Sequence, residues 1–493
     1  MAITILKYIQ NNLESTIPAP CNGNHTCGKC LVKISPSITP TKNDIDLINP
    51  RLIDLGYRLA CDHDYDDKLN IEIVKKEGME ITTDIVSKIS NDYPKNENWG
   101  FSIDVGTTTV VIRMSKNDES EKAHTRSFYN HQVKFGSDVI SRIKASNEGY
   151  LSHLHVNLIK PIEDNILSLI NENFVPKDKL GPIVITGNTT MTYFLLNMSP
   201  QSIGRSPFLV DKFSNYSQNV RDIFPHLDFY DNQLFITPYS SAFIGGDILS
   251  GMIACDMDLS EELNILIDLG TNGEMVIGNM HSFKSLSTAA GPAFEGGNMS
   301  CGTPSIPGAI TKVIINADRN DIFTIQNKEP IGVCGTGIIS VIAELLRKDI
   351  LDETGCLNND EELFFIDKNK DIFITQKDIR EFQLSKAAIQ TGISILIESV
   401  QDQEMIKNIF LSGGFGSNID VEDLVTIGVV PSTLKNKVKI MQNTALAGAE
   451  YLMFTKNIDR FKEIANKIEN INLVEHKSFQ ELFVEALIFE PID

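Results

Sequence analysis

Apolar positions at Leu6, Ile9 and Leu13 fall at helical spacing behind Thr4, whose hydroxyl suits a helix N-cap. They predict a short helix at the start of the chain. A loop of small and polar residues, PAPCNGNHTCGKC, comes next, and the alternation of NIEIV at 70–74 predicts a strand that closes a first block at residues 1–78. From 79 to 98 the chain is polar and charged, with too few apolar residues to build a core. This stretch predicts a linker, with ITTDIV as one candidate strand inside it. At Trp99 the pattern changes to apolar runs that end in glycine-rich turns and alternate with helices, the signature of an α/β architecture.

Within 99–493 one pattern occurs twice. FSIDVGTTTVVI at 101–112 and ILIDLGTNGEMVIG at 265–278 each read as strand, Asp, apolar residue, Gly, Thr, polar turn, strand. Their aspartates, Asp104 and Asp268, lie 164 residues apart (268 − 104). Repetition at that interval predicts a duplicated fold with lobes at about 99–260 and 261–493, each supplying one hairpin to a shared cleft. A third glycine turn, NIFLSGGFGSNI at 408–419, follows an apolar strand. Two Gly/Ala-rich helices, SAFIGGDILSGMIA at 241–254 and TALAGAEYLMF at 444–454, are expected to cross closely where each half ends.

Length and charge narrow the functional classes. The 493 residues allow about three domains. The 44 basic and 65 acidic residues leave a formal charge of −21, which argues against a nucleic-acid footprint or an anionic-membrane surface. No apolar run approaches the roughly 18 residues of a spanning helix, and MAITILKYIQNNLE lacks the long apolar region of a secretory signal. The expectation is a soluble cytoplasmic protein.

Cysteine placement brings in the first chemistry. Cys21, Cys27, Cys30 and Cys61 crowd the first block, while Cys255, Cys301, Cys334 and Cys356 are scattered and read as small core residues. In reducing cytosol the first four read as a ligand set rather than as disulfides. Three thiolates on one loop and a fourth further along match the plant-type [2Fe–2S] arrangement, and Asn22, Gly23, Asn24 and Gly28 suit a loop that turns its amides toward sulfide. Zinc is the alternative, but structural zinc sites usually draw on two Cys-x2-4-Cys knuckles, and only one Cys-x2-Cys occurs here.

The paired turns carry the second chemistry. Backbone N–H groups at a tight Gly/Thr turn form an anion-binding concavity. Gly106, Thr107, Thr108 and Thr109 in one turn, and Gly270, Thr271, Asn272 and Gly273 in the other, add side-chain donors suited to phosphate. Asp104 and Asp268 at strand ends can hold Mg²⁺ through its waters. Gly413, Gly414 and Gly416 stand where an adenosine would rest. Together the three turns predict a nucleotide site. GTGIIS at 335–340 resembles a dinucleotide loop but has no second strand before Asp352. His153 and His155, two apart on a helix, diverge and read as solvent-facing. The glycine- and proline-rich loop at 291–310, which carries Glu295, reads as cleft-lining or as a plain connection.

On these residues the chain resembles the reductive activators of corrinoid proteins, including the activating enzymes of corrinoid-dependent O-demethylases. The resemblance rests on APC…TCGKC, YRLAC, IDVGTTTVV, FGSDVISRI, ITGNTTM, IDLGTNGEMV, AAGPAFEGG, CGTGIIS, LSGGFG and FQELFVEALIF, in that order over nearly the whole chain. It implies a β-grasp ferredoxin-like domain at 1–78, a linker at 79–98, and at 99–493 a two-lobed ATPase of the actin, hexokinase and heat-shock superfold (ASKHA). The phosphate turns would then be Asp104–Thr109 and Asp268–Gly273, and the adenosine turn Ser412–Gly416. The implied activity is ATP- and Mg²⁺-dependent one-electron reduction of a partner's cob(II) to cob(I) through a [2Fe–2S] cluster that a low-potential donor refills; the family also suggests a homodimer. Two departures stand out. Met1 falls almost at the first helix, where members usually carry a β-hairpin, so a trimmed β-grasp sheet or a late start is expected, and His25 stands where a glycine is common. The linker leads straight to the first hairpin, with no room for the extra middle domain of longer members. A D-x-H-x-x-G corrinoid motif is missing, so the corrinoid is expected on the partner. A small-molecule kinase and a redox-sensing ATPase regulator remain alternative readings of the same superfold.

Overall fold

In the computed structural model, residues 3–10, 25, 30–48, 53–54, 56–73, 94–117, 123–136, 138–211, 216–227, 229–270, 272–297, 299–303, 305–358, 362–400, 406–413 and 419–490 are described. The chain divides into two compact units, one built on Met1–Met79 and Lys95–Ile236, the other on Thr237–Asp493. The candidate strand ITTDIV and nearly all of the expected linker lie outside the described residues.

The first block begins with the expected helix, Ile5–Gln10, whose N-cap Thr4 accepts the Lys7 N–H at 3.3 Å. Ile5, Leu6 and Ile9 are buried against Val32, Ile34 and Leu59 of an antiparallel three-stranded sheet. In that sheet β1 (Leu31–Ser35) is central, between β2 (Tyr57–Leu59) and β3 (Asn70–Ile73). A short helix, Lys42–Leu47, is closed by a capping box between Thr41 and Asp44. Asp44 is fully buried. Burial alone would raise its pKa, but the N–H groups of Leu59 and Thr41 and the His63 imidazole, 2.7 Å away, hold the carboxyl below its ordinary value.

The same unit holds a six-stranded sheet made of β4 (Asn96–Val105), β5 (Thr109–Asn117), β6 (Ala123–Tyr129), β7 (Leu180–Gly187), β8 (Ser217–Asn219) and β9 (Gln233–Ile236). Its order is β6-β5-β4-β7-β9-β8. β4, β5 and β6 form an antiparallel meander, and β7 runs parallel to β4. Every residue of LGPIVITG in β7 is buried, as a strand covered on both faces requires. The 22-residue helix Leu151–Glu172 makes the crossover into β7 and buries Leu154, Leu158, Ile162, Ile166 and Leu169 at helical spacing.

The second unit repeats this plan. A meander of β10 (Leu263–Leu269), β11 (Gly273–Gly278) and β12 (Phe283–Thr288) is extended from β10 by the parallel strands Ile406–Gly413 and Val438–Ile440, and from β12 by Ile468–Asn470. In both sheets the central strand has its hairpin partner on one side and a parallel strand on the other, so the expected duplication is present. GTGIIS opens the helix Gly335–Arg347. A Cβ on Gly337 would lie 2.1 Å from the Ile310 carbonyl oxygen, so this motif serves helix-on-strand packing.

Two local devices complete this unit. Lys386, buried on the long helix Gln376–Glu398, donates to the carbonyls of Ala486 (3.0 Å) and Ile488 (2.5 Å). Burial pushes its ammonium group down to about 7. The helices Gly246–Ala254 and Thr444–Thr455 cross at backbone contact: a Cβ on Gly448 would lie 2.1 Å from the Ser250 carbonyl oxygen, and one on Gly251 would lie 3.0 Å from Thr444 Oγ1. The close crossing expected from the small residues is therefore observed. Gly448→Val should force the helices apart. We expect a loss of about 1–3 kcal/mol, read as a lower thermal unfolding midpoint for the variant than for the parent.

Candidate functional site

The first Asp-x-Gly-Thr turn joins β4 to β5. Gly106 N–H donates to the Thr109 carbonyl at 2.9 Å, and a Cβ on Gly106 would meet that oxygen at 2.7 Å, so the turn closes only with glycine there. All three carbonyls inside the turn accept protein donors. Gly106 O takes the Asn130 side-chain amide (2.9 Å), Thr107 O takes Arg142 Nη2 (2.6 Å), and Thr108 O takes the Asn130 backbone N–H (2.9 Å). With the groups that would repel phosphate already engaged, the turn has N–H and hydroxyl donors to offer an anion. Asp104 stands half-buried one residue before the end of β4, and Thr108 is exposed.

Arg142 was not among the residues singled out from sequence. Its guanidinium is fully buried and also donates to Gly136 O at 2.9 Å and Gln132 Oε1 at 3.2 Å. Burial lowers its pKa from the ordinary arginine value, yet an arginine stays protonated at neutral pH. It therefore places a fixed positive charge beneath the turn.

The second turn, between β10 and β11, closes through Gly270 N–H to Asn272 O at 2.9 Å. Thr271 lies outside the described residues. Asp268 is paired across the sheet with Glu274 on β11 and Ser412 on the parallel strand. Burial, then the charges of Asp247 and Asp268, push the Glu274 carboxyl well above the usual carboxylate range. Among the described residues no three potential ligands stand close enough to hold one metal ion directly.

The two halves share a feature beyond the turns. Beside β4, Thr186 and Gly187 of β7 stand opposite Asp104 and Val105; beside β10, Ser412 and Gly413 stand opposite Asp268 and Leu269. A Cβ on Gly187 would lie 2.6 Å from Val105 O, and one on Gly413 would lie 2.1 Å from Leu269 O. Thr186–Gly187 is thus the first-half counterpart of Ser412–Gly413. Asn188 donates to Thr107 Oγ1 at 3.1 Å and, through Oδ1, accepts Met191 N–H to cap the helix Thr189–Leu195. Gly413 and the second turn are therefore neighbours on adjacent strands; Gly414 and Gly416 lie outside the described residues.

Of the four expected cluster ligands, Cys21 and Cys27 lie outside the described residues, as do Asn22, Gly23, Asn24 and Gly28. Cys30 and Cys61 are both buried and flank the β1–β2 pair, where Ala60 N–H donates to Cys30 O at 2.8 Å. His25 has φ of 57°, a conformation natural to glycine, and its Nδ1 lies 3.0 Å from Asp62 Oδ1. Among the scattered cysteines, Cys334 is buried, whereas Cys255, Cys301 and Cys356 are only half-buried. Arg380 donates to Cys356 Sγ at 2.9 Å. His153 is exposed as expected, but His155 is half-buried and 3.0 Å from the Phe194 carbonyl oxygen. The intervening Leu154 faces the core, and the helix turns the two imidazoles apart.

A duplicated sheet of this order, with donor-rich turns at the same point of each copy, is the architecture of the actin, hexokinase and heat-shock ATPases. Sequence profiles for the RACo middle region and for the C-terminal domain of RACo, the ASKHA domain, match residues 99–260 and 262–493. The chain belongs to the RACo family. What that family calls its middle region falls on the segment expected as the first lobe. The corrinoid activation enzyme RamQ of Eubacterium limosum is 29% identical over 454 residues, covering 85% of this chain and 76% of the relative. The [Co(II) methylated amine-specific corrinoid protein] reductase of Methanosarcina barkeri is 25% identical over 427 residues, covering 79% and 77%. A solved reductive activator for corrinoid, iron-sulfur protein superposes with a TM-score of 0.73 at 27% identity, over 100% of this chain and 97% of its own.

Two substitutions, with a third as a control, test this geometry. Arg142→Met should leave the Thr107 and Gly136 carbonyls without their donor, at about 1–3 kcal/mol for each group left dry, measured as a lower denaturation midpoint together with weaker nucleotide binding. Gly413→Ala should disrupt the strand contact as well as the backbone angle, since its φ is 126°. Gly149→Ala, at φ of 99° with nothing within 4 Å, isolates the angular cost alone. The Gly413 variant should be the more destabilised of the two in the same melt.

Proposed function

We propose that this chain is an ATP-dependent reductive activator that returns an inactive cob(II) corrinoid protein to cob(I). The observation that carries the reading is the repeated turn. Asp104 and Asp268 occupy the same place in two sheets of one plan, and in the first of them every turn carbonyl is engaged by protein donors. The corrinoid specificity of the named relatives supports the choice of partner.

Each residue has a physical task in this reading. Asp104 and Asp268 hold the waters of Mg²⁺, while Thr107, Thr108, Asn272 and the turn amides take the phosphate charge. Phosphoryl transfer to water depends mainly on such positioning and charge stabilisation. Cys21, Cys27, Cys30 and Cys61 are the thiolates that would hold a [2Fe–2S] cluster, which when bound supplies one electron at roughly −400 mV. Reduction to cob(I) lies lower still, and each ~59 mV uphill costs about 1.4 kcal/mol for one electron. Nucleotide energy supplies the bias. Nucleotide and partner must then affect each other's binding reciprocally.

The deciding experiment follows the cob(II) absorption of a purified corrinoid protein with a low-potential reductant, with and without Mg–ATP. Cob(I) should appear only when nucleotide is present, and ATP turnover should rise when the cob(II) protein is added. Equal reduction without nucleotide would refute the proposal. Anaerobically purified protein should carry about two irons and two sulfides, and Cys61→Ser should change the visible spectrum; one equivalent of zinc would refute the cluster. Asp268→Asn should bind nucleotide nearly as the parent does but lose most of its hydrolysis.

A further inference from the structure

The loop at 291–310 has a more definite shape than its composition suggests. Pro292–Glu295 forms one tight turn bracketed by Gly291 and Gly296, both at φ of 76°. Gly296 N–H donates to Ala293 O at 3.0 Å and Gly297 N–H to Pro292 O at 2.8 Å. A Cβ on Gly296 would lie 2.7 Å from Thr303 O, so its backbone is wedged. On the other side of Glu295, Phe294 is fully buried, with its ring 4.9 Å from that of Phe382 on the long helix. Glu295 is therefore held between a buried aromatic anchor and a glycine with no space around it.

This rigid turn aims the carboxylate at the second phosphate turn. Glu295 Oε1 lies 3.6 Å from the point a Cβ on Gly270 would occupy, and among the described residues beyond its chain neighbours only the Asn272 carbonyl, at 3.8 Å, also comes within 4 Å of that point. Glycine at 270 thus keeps the space above the turn open, and a carboxylate from a separate loop borders it. Asp268 stands two residues before Gly270 on β10, so the two acidic residues are brought to this turn by different elements.

We propose that Glu295 holds the attacking water during ATP hydrolysis, which rests on the ATPase reading above. The water oxygen forms the new bond to the γ-phosphorus. The bond from that phosphorus to the β–γ bridging oxygen breaks, its electron pair leaving on ADP. The water's proton passes to the Glu295 carboxylate and from there to solvent. Backbone and side-chain donors of the turn carry the charge on the transferred group. A positioned carboxylate in this role contributes on the order of 10²–10⁴ in rate.

The test compares the full-length parent with Glu295→Gln and Glu295→Asp. Hydrolysis is measured alongside calorimetric binding of Mg–ADP and of Mg–ADP with aluminium fluoride, which mimics the transferring phosphoryl group with its in-line water. In the parent, aluminium fluoride should tighten ADP binding. In Glu295→Gln, kcat should fall by about 100-fold or more with KM, ADP affinity and melting temperature unchanged, and the tightening by aluminium fluoride should vanish. Glu295→Asp, which keeps a shorter carboxylate, should recover part of the turnover. The inference is overturned if Glu295→Gln hydrolyses ATP like the parent, or if it loses ADP affinity as much as aluminium fluoride affinity, which would make Glu295 a nucleotide ligand. A parent that binds no Mg–nucleotide would instead overturn the ATPase reading itself, and this inference with it.

Discussion

In each large sheet one backbone contact sets the spacing of everything around it. The central strand runs so close to its parallel neighbour that the residue facing Val105 or Leu269 has no room for a Cβ; glycine stands there in both, as Gly187 and Gly413. That contact brings the end of the parallel strand level with the aspartate that precedes the turn. A larger residue would push the strands apart, and the turn and its neighbour would no longer present their donors together. The placing of each turn therefore depends on packing between main chains, and the side chains at the turn act on a geometry already set.

The turns themselves were legible because Asp-x-Gly-Thr is a local pattern: the hydrogen bond that closes it joins residues only two or three apart. Their partners were not. Thr186–Gly187 and Ser412–Gly413 share little beyond one glycine, and their equivalence lies in strand pairing with residues 82 and 144 positions earlier (187 − 105 and 413 − 269). Arg142 in FGSDVISRI reads as an ordinary helix charge, since nothing local shows that its guanidinium is buried beneath a turn 35 residues before it. The helix crossing at Gly448 could be foreseen because small residues cluster there in the sequence. The half-burial of His155 could not, because it depends on Phe194 in another helix.

Three buried charged groups among the described residues are met largely by backbone. Arg142 is satisfied by the carbonyls of Thr107 and Gly136 together with Gln132, Lys386 by those of Ala486 and Ile488, and Asp44 by the amides of Leu59 and Thr41 alongside His63. A side chain that bonds to main chain fixes the path of a loop rather than the identity of another side chain. Each of these groups accordingly sits where an irregular segment must be held in place: a turn, the region after the last helix, and the end of a short strand. The same burial makes each position intolerant of losing its charged group, because the backbone atoms around it have no water to fall back on.

Lys386 ties the assembly of this unit to the order in which its parts leave the ribosome. The acceptors for its ammonium group lie 100 and 102 residues further along the chain. At about 5–20 residues per second, that interval corresponds to at least several seconds of synthesis. Until Ala486 and Ile488 have emerged, the long helix carries a charge that its own core cannot accept. Burying Lys386 before the later residues arrive would leave its ammonium group without these two acceptors.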